Sequence, residues 1–486
     1  MASLFIEGGH LLFDGLAEAN VLIEDGAITA VGPDVRASDG IERLDASGMV
    51  LMPGLINAHF HSGENFNPGL YENLPLDLWF VRSHQVTRTE PLSSDGIYAR
   101  TLVGATMMLR TGTTSVVDFL FEAPEITLAT LEPVVQAYRD VGMRATILLG
   151  VADKPFAESL PLESQNGGGR EAPPPTLESI MRLAHEAVER FHEQNGMIGI
   201  GLGPSAPQRC TTELFEETLK LARARGLVWQ THVLETKSQA YTSRRWHGHS
   251  FIEDLAARNL LGPDSTLVHT VWLSDRDIEL MASAGTPAVH CLVSNLRLGD
   301  GIARLPALRD AGVRVALGTD GRGCHETLDV LELAKTTALV HKARGGDFRS
   351  WPTAREALTM CTSAASICMG HGEGLGRLEP GAVGDVTLLR LDAPALTPLN
   401  DPVRQVVYGS SGDLVDTVVV NGRVVVERGK VAGVDVRDLA EQAAHWSAES
   451  LAGERPDDAE AIAGLVERMY RDVEAADLDV DAYLRG

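Results

Sequence analysis

The chain has 486 residues and a mass of 52.2 kDa, and 44% of its residues are hydrophobic, which suffices for one large globular domain and a smaller one. Its 42 basic and 67 acidic side chains give a formal net charge of −25. Nucleic acid and anionic membrane surfaces are therefore not expected partners, because both are bound through positive charge. No run of about 18 apolar residues occurs, so we predict no membrane-spanning helix.

The number and spacing of the five cysteines indicate the cellular compartment in which the protein works. They are odd in number and scattered, and none forms a CxxC pair, which argues against a disulfide framework and a thiolate zinc site. The N-terminal stretch "MASLFIEGGHLLFDG" lacks the basic flank and the long apolar segment of a signal peptide. We therefore expect a reducing, cytoplasmic environment.

Two β-rich flanks enclose a long middle section. Near the N-terminus, "ANVLIEDGAITAVGP" is typical of a hairpin that turns at Asp25, and "DTVVVNGRVVVERGKVAG" contains a similar turn at Asn421. We predict that residues 1–55 and 376–433 pair into a small β-sandwich domain built from both termini. Residues 434–486 are acidic with a helical pattern, which predicts a C-terminal helical appendage for packing or subunit contact.

The middle section, residues 56–375, alternates apolar β-type runs with amphipathic helical patterns. One helix pattern, "TTELFEETLKLARARG", begins with a threonine cap and stops at Gly226. Eight repeats of this kind predict a (β/α)8 TIM-type barrel, so the fold class is α/β. The segment 161–175, "PLESQNGGGREAPPP", breaks the rhythm and predicts a tolerated surface insertion, with an active-site lid as the alternative. The eight β-type runs, the first of which starts in the flank, are residues 50–57, 114–120, 144–150, 198–203, 227–232, 265–269, 286–290 and 313–319.

Polar residues lie at the C-terminal ends of five of these runs, at the rim where barrel enzymes build their catalytic sites. The first run leads to His59 and His61, and alternation along a strand points both imidazoles to the same side. A single buried histidine is usually an ordinary core residue, but several at one rim predict a metal site. The fifth to eighth runs lead to His232, His269, His290 and Asp320.

Imidazoles and a carboxylate suit a divalent zinc or iron ion. We predict His59, His61, His232 and Asp320 as the ligands of one ion, with Zn²⁺ as the first choice and Fe²⁺ as the alternative. A second ion would need a bridging group, commonly a carbamylated lysine on a neighbouring strand. The fourth run and its exit, "IGIGLGPSAPQRC", contain no lysine, so we expect a single metal.

Nearly the whole chain resembles the amidohydrolase superfamily, specifically its single-metal deaminase branch. This branch includes the S-adenosylhomocysteine and methylthioadenosine deaminases, guanine deaminase and the triazine hydrolases. The resemblance implies a metal-bearing barrel with a β-sandwich built from both termini, and an aminohydrolase that acts on C–N bonds other than peptide bonds. Because relatives are often dimers or tetramers, it also implies a homo-oligomer. The motifs that carry the resemblance are "PGLINAHFH", "ENLPLDLWF", "RTGTTSVVD", "THVLETKSQA", "LVHTVWLSD", "HCLVSNLRLGDGIA", "LGTDG", "LGRLEPGAVGDV" and "VVVNGRVV".

The resemblance and the charges together predict a hydrolytic deaminase that releases ammonia from a small amino-substituted nitrogen heterocycle of the purine, pterin, pyrimidine or triazine type. The metal lowers the pKa of its bound water, so that hydroxide attacks the carbon bearing the amine. Glu235, three residues after His232, fits as the catalytic proton shuttle, and the alternative is a salt bridge to Lys237. By resemblance, His269 hydrogen-bonds the attacking oxygen, and Asp320 orients the nucleophile as well as binding the metal.

Two departures from the branch bear on the substrate. Branch members commonly carry His-Ala/Ser-Pro-Tyr after the fourth strand, where this chain has Ser205 to Gln208, and the missing contact argues against a nucleoside. Glu64 lies three residues after His61, where guanine deaminases have a glutamine that reads the base edge. A carboxylate only accepts hydrogen bonds, so we expect Glu64 to bind an amino-rich or cationic ring edge.

Three further residues are predicted to contact the substrate. Trp79 is expected to stack on the ring, with plain packing as the alternative. His290 and Asn295 occupy the family's "HNPxSN" motif, which appears here as "HCLVSN". The roles of Cys324 and His325 stay open, since a substrate contact and a helix cap fit His325 equally well.

Two other functions stay open from the sequence. One is hydrolysis of a different C–N or C–Cl bond, such as triazine dechlorination, dealkylamination or cyclic amide opening. Glu235 favours deamination, because dechlorinating relatives can lack the acid at this position. The other is a metal-binding homologue without catalysis, against which the intact ligand set and Glu235 argue.

Overall fold

The structure, a computed structural model, describes residues 3–83, 90–163, 171, 173–193, 196–343, 346–370, 374–409, 414–452 and 456–478. The strands are β1 (Leu4–Leu11), β2 (Ala17–Glu24), β3 (Ala27–Gly32), β4 (Glu42–Asp45), β5 (Met49–Pro53), β6 (Leu55–Phe60), β7 (Thr113–Leu120), β8 (Arg144–Val151), β9 (Ile198–Pro204), β10 (Gln230–Val233), β11 (Thr266–His269), β12 (Ala288–His290), β13 (Val315–Leu317), β14 (Val386–Arg390), β15 (Val415–Val420), β16 (Arg423–Glu427) and β17 (Lys430–Val431). The helices are α1 (Leu76–Ser83), α2 (Ser94–Arg110), α3 (Leu128–Val141), α4 (Leu177–Phe191), α5 (Thr212–Arg225), α6 (Lys237–His247), α7 (Phe251–Ala257), α8 (Asp275–Ala284), α9 (Leu292–Leu298), α10 (Leu305–Asp310), α11 (Val330–Ala343), α12 (Ala354–Met360), α13 (Pro402–Gly409), α14 (Val436–Ala452) and α15 (Pro456–Ala475).

Strands from both ends of the chain form one sheet, in the order β17-β16-β15-β14-β5-β1-β2-β3, with β4 paired to β1. Strand β14 joins the two halves, because it pairs antiparallel with both β5 and β15. The hairpins β2–β3 and β15–β16 turn at Asp25-Gly26 and Asn421-Gly422, and all four residues have the positive φ that a two-residue type I′ turn requires. The predicted sheet of terminal strands is therefore present, while the domain boundaries remain a prediction.

Strands β6 to β13 form the barrel, as two four-stranded parallel sheets, β6-β7-β8-β9 and β10-β11-β12-β13. A parallel bridge between Leu202 and Trp229 joins the two sheets at one seam. At the other seam, the backbone N–H of Asp320 donates to the carbonyl of His59 at 3.0 Å. The predicted α/β class with a (β/α)8 barrel is confirmed.

The first predicted run, residues 50–57, belongs to two strands rather than one. Strand β5 lies in the terminal sheet and β6 in the barrel, and Gly54 separates them. The backbone N–H of Gly54 donates to the carbonyl of Asp385 at 2.9 Å, and a side chain at Gly54 would come within 2.2 Å of the Thr114 hydroxyl. The chain therefore crosses from sheet to barrel at one glycine, and β6 then carries His59 to the rim, with His61 directly after the strand.

The C-terminal helices pack on the barrel, as the predicted appendage would. Val81 of α1 and Ile462, Val466 and Met469 of α15 belong to one buried apolar cluster. The hydroxyl of Tyr470 donates to the carboxylate of Asp77 at 2.9 Å. Much of the segment 161–175 lies outside the described residues, so the choice between insertion and lid stays a prediction. No helix in the described ranges is both long and apolar enough to cross a membrane.

Asp385 connects the terminal sheet to the base of the barrel, and its removal tests that connection. The Nε and Nη2 atoms of Arg144 each donate to its carboxylate at 3.3 Å, and the backbone N–H of Asn421 donates at 2.7 Å. Because Asp385→Ala leaves the buried guanidinium without its charge partner, we expect the free energy of unfolding to fall by about 3–5 kcal/mol. Urea unfolding measures this, with the exposed Asp392→Ala as the matched control. Equal stability of the two variants would contradict the expectation.

Candidate metal centre

The four predicted metal ligands surround one point at the barrel rim. The Nε2 atom of His59 lies 3.2 Å from Nε2 of His61 and 3.2 Å from Nε2 of His232. Oδ1 of Asp320 lies 3.1 Å from Nε2 of His61 and 3.6 Å from Nε2 of His59. All four side chains are buried.

The other ring nitrogen of each histidine faces an oxygen acceptor, which fixes the tautomer. For His59 the acceptor is the side-chain amide oxygen of Gln230. The orientation of this amide is fixed because its nitrogen donates to the carbonyl of Ala58 at 3.0 Å. Each Nδ1 therefore carries the proton, and each Nε2 presents a lone pair to the shared point. The Nδ1 contacts are His61 to the carbonyl of Phe119 at 2.6 Å, His232 to the carbonyl of Ser205 at 2.7 Å, and His59 to Oε1 of Gln230 at 3.2 Å.

This arrangement fits a divalent cation. Three lone pairs and a carboxylate oxygen repel one another at these distances unless a positive charge lies between them. Ligands held tetrahedrally about 2.0–2.1 Å from Zn²⁺ lie roughly 3.3 Å apart, which is close to the separations observed here.

The pKa values of the cluster point to the same conclusion. Burial lowers the pKa of His59 and of His232 well below the ordinary value, so both are neutral ligands. Burial also acts to lower the pKa of His61, but the hydrogen bond and charge of Asp320 outweigh it and raise that pKa to about 9. Burial acts to raise the pKa of Asp320, but the hydrogen bond from His61 outweighs it and holds the pKa well below its usual range. Asp320 is thus ionised, and without a metal its charge is balanced by a proton on Nε2 of His61, the position that a divalent ion would take.

The loops that carry the site adopt an uncommon backbone conformation. Leu234, His269, Thr270 and Asp320 have φ values of +49°, +69°, +48° and +64°, in the left-handed region that residues other than glycine rarely occupy. Such conformations cost energy and persist where the surrounding structure fixes them, commonly at functional sites. The backbone N–H groups of Val271 and Trp272 both donate to the carbonyl of Leu234, at 3.0 and 2.8 Å, and so hold the loop that carries Glu235.

Glu235 and His269 lie side by side next to the metal ligands. Oε1 of Glu235 is 3.5 Å from Nδ1 of His269, and Nδ2 of Asn295 is 3.0 Å from the same nitrogen. Because the amide of Asn295 also donates to a carboxylate, we assign Nδ2 as donor to His269, so that Nε2 of His269 carries the proton. Lys237 points away, with its amine near the carbonyl of Glu474 at 3.4 Å, so the alternative salt bridge to Glu235 is not formed.

A narrow chamber of about 60 Å³ lies at the centre of the site and adjoins a larger cavity of about 580 Å³. Its lining includes metal ligands together with Glu235, His269, Glu64 and Trp79. A chamber of this size holds only a few water molecules, so a ring substrate must extend toward the larger cavity. The residues that line both spaces are His61, Glu64, Phe80, Phe121, Phe156 and Arg209.

The predicted substrate residues divide into two groups. Glu64 and Trp79 line the chamber, whereas His290 and Asn295 line neither space. The ring of His290 packs 5.6 Å from that of His341, and Asn295 instead holds His269. Cys324 and His325 are buried and hydrogen-bond to carbonyls of the loop around Asp320, those of Gly321 and Thr319, both at 3.2 Å.

Three residues at the site were not among the predicted site residues. Gln208 lines the chamber, and its Oε1 is buried without a hydrogen-bond partner in the described part of the chain. The hydroxyl of Ser294 donates to Oδ2 of Asp320 at 2.5 Å. Burial and then the charge of Asp300 raise the pKa of Glu235. Gln208 stands at a noted departure from the family and Ser294 within its "HCLVSN" motif, but no sequence signal marks Asp300.

The profile of the Amidohydrolase family matches residues 50–425. The chain belongs to the amidohydrolase family. It is 31% identical to the 5'-deoxyadenosine deaminase of Methanothermobacter thermautotrophicus over 447 residues, which cover 91% of this chain and 98% of that protein. It is 30% identical to the 5-methylthioadenosine/S-adenosylhomocysteine deaminase of Pyrococcus furiosus over 447 residues, or 90% and 99% of the two chains. A crystal structure of atrazine chlorohydrolase from Arthrobacter aurescens complexed with zinc superposes with a TM-score of 0.81 at 25% identity, covering 91% of this chain and 100% of that one.

These similarities confirm three predictions: the family, the composite fold and the enzyme class. The protein is an enzyme that acts on C–N bonds. The cluster of three histidines and Asp320, together with the zinc-bound relative, indicates a divalent metal. The individual site residues remain predictions that the geometry supports.

Proposed function

We propose that this protein is a zinc-dependent hydrolytic deaminase that releases ammonia from an amino-substituted nitrogen heterocycle, with an adenine-type ring as the first candidate. The observation that carries the proposal is the position of Glu235, a buried carboxyl group on the chamber wall, 3.5 Å from Nδ1 of His269 and next to the metal ligands. Curated relatives named as adenosine-type deaminases support the choice of ring.

The mechanism follows from the residues around the chamber. His59, His61, His232 and Asp320 would hold a divalent ion, which when bound would supply an activated water and a fixed positive charge. Glu235 accepts a proton from the attacking water and delivers it to a ring nitrogen, which makes the carbon bearing the amine electrophilic.

Two neighbouring groups assist this transfer. His269, whose Nδ1 accepts from Asn295, donates through Nε2 to the attacking oxygen. Ser294 keeps the Asp320 carboxylate oriented. His269 and Asp320 are thus both held by hydrogen bonds within the protein, so their positions are set before the substrate binds. The remaining proton of the added hydroxyl then passes to the amine, a transfer for which Glu235 is placed, and the C–N bond breaks as the carbonyl forms and ammonia leaves.

Glu64 is the proposed reader of the ring edge. Its carboxylate lies against the turn after Asp320, where a side chain at Gly321 would come within 1.7 Å of Glu64 Oε2. A side chain at Gly323 would meet the ring of Trp79 at 2.8 Å and Glu64 Oε2 at 3.2 Å. The two glycines thus leave room for a carboxyl group and an indole side by side at the chamber. Burial raises the pKa of Glu64 to about 8, and an amino-rich or cationic ring edge bound between Glu64 and the indole would favour the ionised form.

The Glu64→Gln variant is expected to change the substrate ranking. Hydrogen bonds to a charged group contribute about 1.5–3 kcal/mol, so kcat/KM should fall about 10- to 100-fold for rings that present an amino or cationic edge. Rings without such an edge should lose much less. Steady-state assays on matched pairs measure the ratio, with the exposed Glu18→Gln as control. An unchanged ranking would remove Glu64 from the site.

Ammonia release by purified protein tests the proposed function. The panel comprises 5'-deoxyadenosine, methylthioadenosine, S-adenosylhomocysteine, adenosine, adenine, guanine, a pterin and chloro- and amino-triazines. We expect one ammonia per substrate consumed for at least one adenine-type compound. Release of chloride or an alkylamine without ammonia would favour the triazine type of hydrolysis, to which the likeness with atrazine chlorohydrolase points. Metal analysis of the same sample tests zinc against iron, and light scattering tests the predicted dimer or tetramer.

A further inference from the structure

A positively charged side chain, that of Arg209, lies where the chamber meets the larger cavity. Arg209 ends the short helical turn Pro207–Arg209 that follows β9, and it lines both spaces. Its backbone N–H donates to the carbonyl of Ala206 at 2.9 Å, and its carbonyl accepts from the N–H of Lys154 at 3.2 Å. The guanidinium therefore projects from a wall whose backbone is held by hydrogen bonds.

Two aromatic rings hold this side chain in place. The guanidinium carbon of Arg209 lies 4.4 Å from the centroid of the Phe80 ring and 5.4 Å from that of Phe156. The two rings stack on each other, with centroids 5.4 Å apart and planes 5° from parallel. Both rings also line the chamber and the larger cavity, so the passage between the two spaces has a flat aromatic wall with a cation against it.

The guanidinium of Arg209 forms no side-chain hydrogen bond within the described part of the chain. Its Nε and Nη1 atoms are buried without a partner. Nη2 is not among the buried nitrogens and has no acceptor there either, so it is the donor that the cavities can reach. Arginine keeps its proton in proteins, and a largely buried charge without a partner is costly. The acceptor is therefore expected to arrive with the substrate.

The acidic groups that influence Arg209 are already bound to other donors. Burial lowers the pKa of Arg209, and the charges of Glu171 and Asp77 act against this change. The Asp77 carboxylate accepts from two hydroxyls, at 2.7 and 2.9 Å. The Glu171 carboxylate accepts from two backbone N–H groups, at 2.5 and 2.8 Å. Among the described residues, neither carboxylate forms an ion pair with the guanidinium.

The size of the chamber sets the distance between the arginine and the reacting ring. Arg209 lines the same space of about 60 Å³ as His232 and Glu235, and a space of this size holds only a few water molecules. A ring whose amine-bearing carbon faces Glu235 therefore brings its far edge to Arg209. A group attached at that edge meets the guanidinium, whereas the end of a long substituent lies farther out in the larger cavity.

We propose that Arg209 is a specificity-determining residue that binds a carboxylate carried on the substrate ring or one carbon away from it. Nη2 donates to this carboxylate, and the two opposite charges pair. A planar carboxylate matches both the planar guanidinium and the flat wall of Phe80 and Phe156. The substrate class is then an amino-substituted nitrogen heterocycle with a carboxylate close to its ring. This inference rests on the proposed function and narrows its substrate.

Matched pairs of compounds test the carboxylate preference. Each pair shares one ring, and only one member carries the carboxylate: 9-ethyladenine with adenin-9-ylacetic acid, cytosine with 5-carboxycytosine, and pterin with pterin-6-carboxylate. Isothermal titration of the metal-loaded Glu235→Gln protein measures binding without turnover. In at least one pair the carboxylate should bind about 10- to 100-fold more tightly than its neutral partner. Absence of such a preference in every pair would overturn the proposal.

Variants of Arg209 separate recognition from packing. Arg209→Met keeps a long apolar side chain against Phe80 but has no donor, so the preference for the carboxylate should disappear. Arg209→Lys keeps the charge and should retain part of the preference. If Arg209 only packs on the aromatic wall, Arg209→Met weakens both members of a pair equally, and that unchanged ratio would overturn the proposal. Lys154→Gln is the control, because Lys154 lines the larger cavity but not the chamber, and it should keep the native ratio.

The role of Arg209 and the proposed function fail in different ways. Carboxylates that bind more tightly than their neutral partners, but from which native enzyme releases no ammonia, would contradict the deamination and support the role of Arg209. Ammonia release with equal kcat/KM and equal binding for both members of every pair would support the deamination and overturn the role of Arg209.

Discussion

Replacement of Glu235 by glutamine is expected to lower kcat by about 10²- to 10⁴-fold, the usual contribution of a positioned general acid–base. Glutamine keeps the size of the side chain but can neither take the proton from water nor deliver it to the ring. Because Glu235 is not one of the four residues that surround the metal point, the metal content should not change. Steady-state ammonia release and metal analysis on one preparation measure both quantities.

The control for this variant is Glu216→Gln, on the exposed face of α5, which should behave like the native protein. A Glu235→Gln enzyme that keeps more than about a tenth of the native kcat would contradict the shuttle role. Loss of metal in the same variant would instead assign Glu235 a ligand role. The two results separate a proton carrier from a metal ligand.

Removal of the metal is expected to abolish turnover and to destabilise the fold. Without the cation, only a proton held between His61 and Asp320 balances the charge of this buried cluster, and the ligand bonds to the metal are lost. A ligand that binds only the folded state at 100 times its Kd adds about 2.7 kcal/mol of stability, so chelation should lower Tm by roughly a few degrees. Addition of Zn²⁺ should restore both activity and Tm.

The matched variants are His61→Ala and His185→Ala. His61 contributes Nε2 to the metal point, whereas His185 is exposed on α4. We expect His61→Ala to bind less than about a tenth of an equivalent of zinc and to show no turnover, and His185→Ala to behave like the native protein. Full activity after complete chelation would contradict a metal-dependent reaction.

The barrel could be predicted from the sequence, and the candidate metal site proposed from it, because each depends on local patterns. Buried parallel strands appear as short apolar runs, and the residue that follows each run lies at the rim by geometry alone. The pairing of His59 with His61 could be predicted for the same reason, since alternation along a strand is a local property. The break between β5 and β6 at Gly54 could not be predicted, because a continuous apolar run does not show that its two halves belong to different sheets.

The contacts behind the rim could not be predicted, because they depend on distant parts of the chain. Asp300 and Glu235 are 65 positions apart, and no periodicity links α9 to the loop after β10. Asn295 was predicted to contact substrate, yet it holds His269. The departure from the family pattern at Ser205 does not disturb the arrangement of His232. The ring of His232 hydrogen-bonds to the backbone carbonyl of Ser205, and any residue at that position has this carbonyl.

The most direct measurement is anomalous X-ray scattering at a metal absorption edge, from crystals of the purified protein. One metal atom per chain is expected, bound by Nε2 of His59, His61 and His232 and by the carboxylate of Asp320. Absence of a metal, two metal atoms within one barrel, or a single atom bound by other side chains would contradict the single-metal site on which the proposed deamination depends.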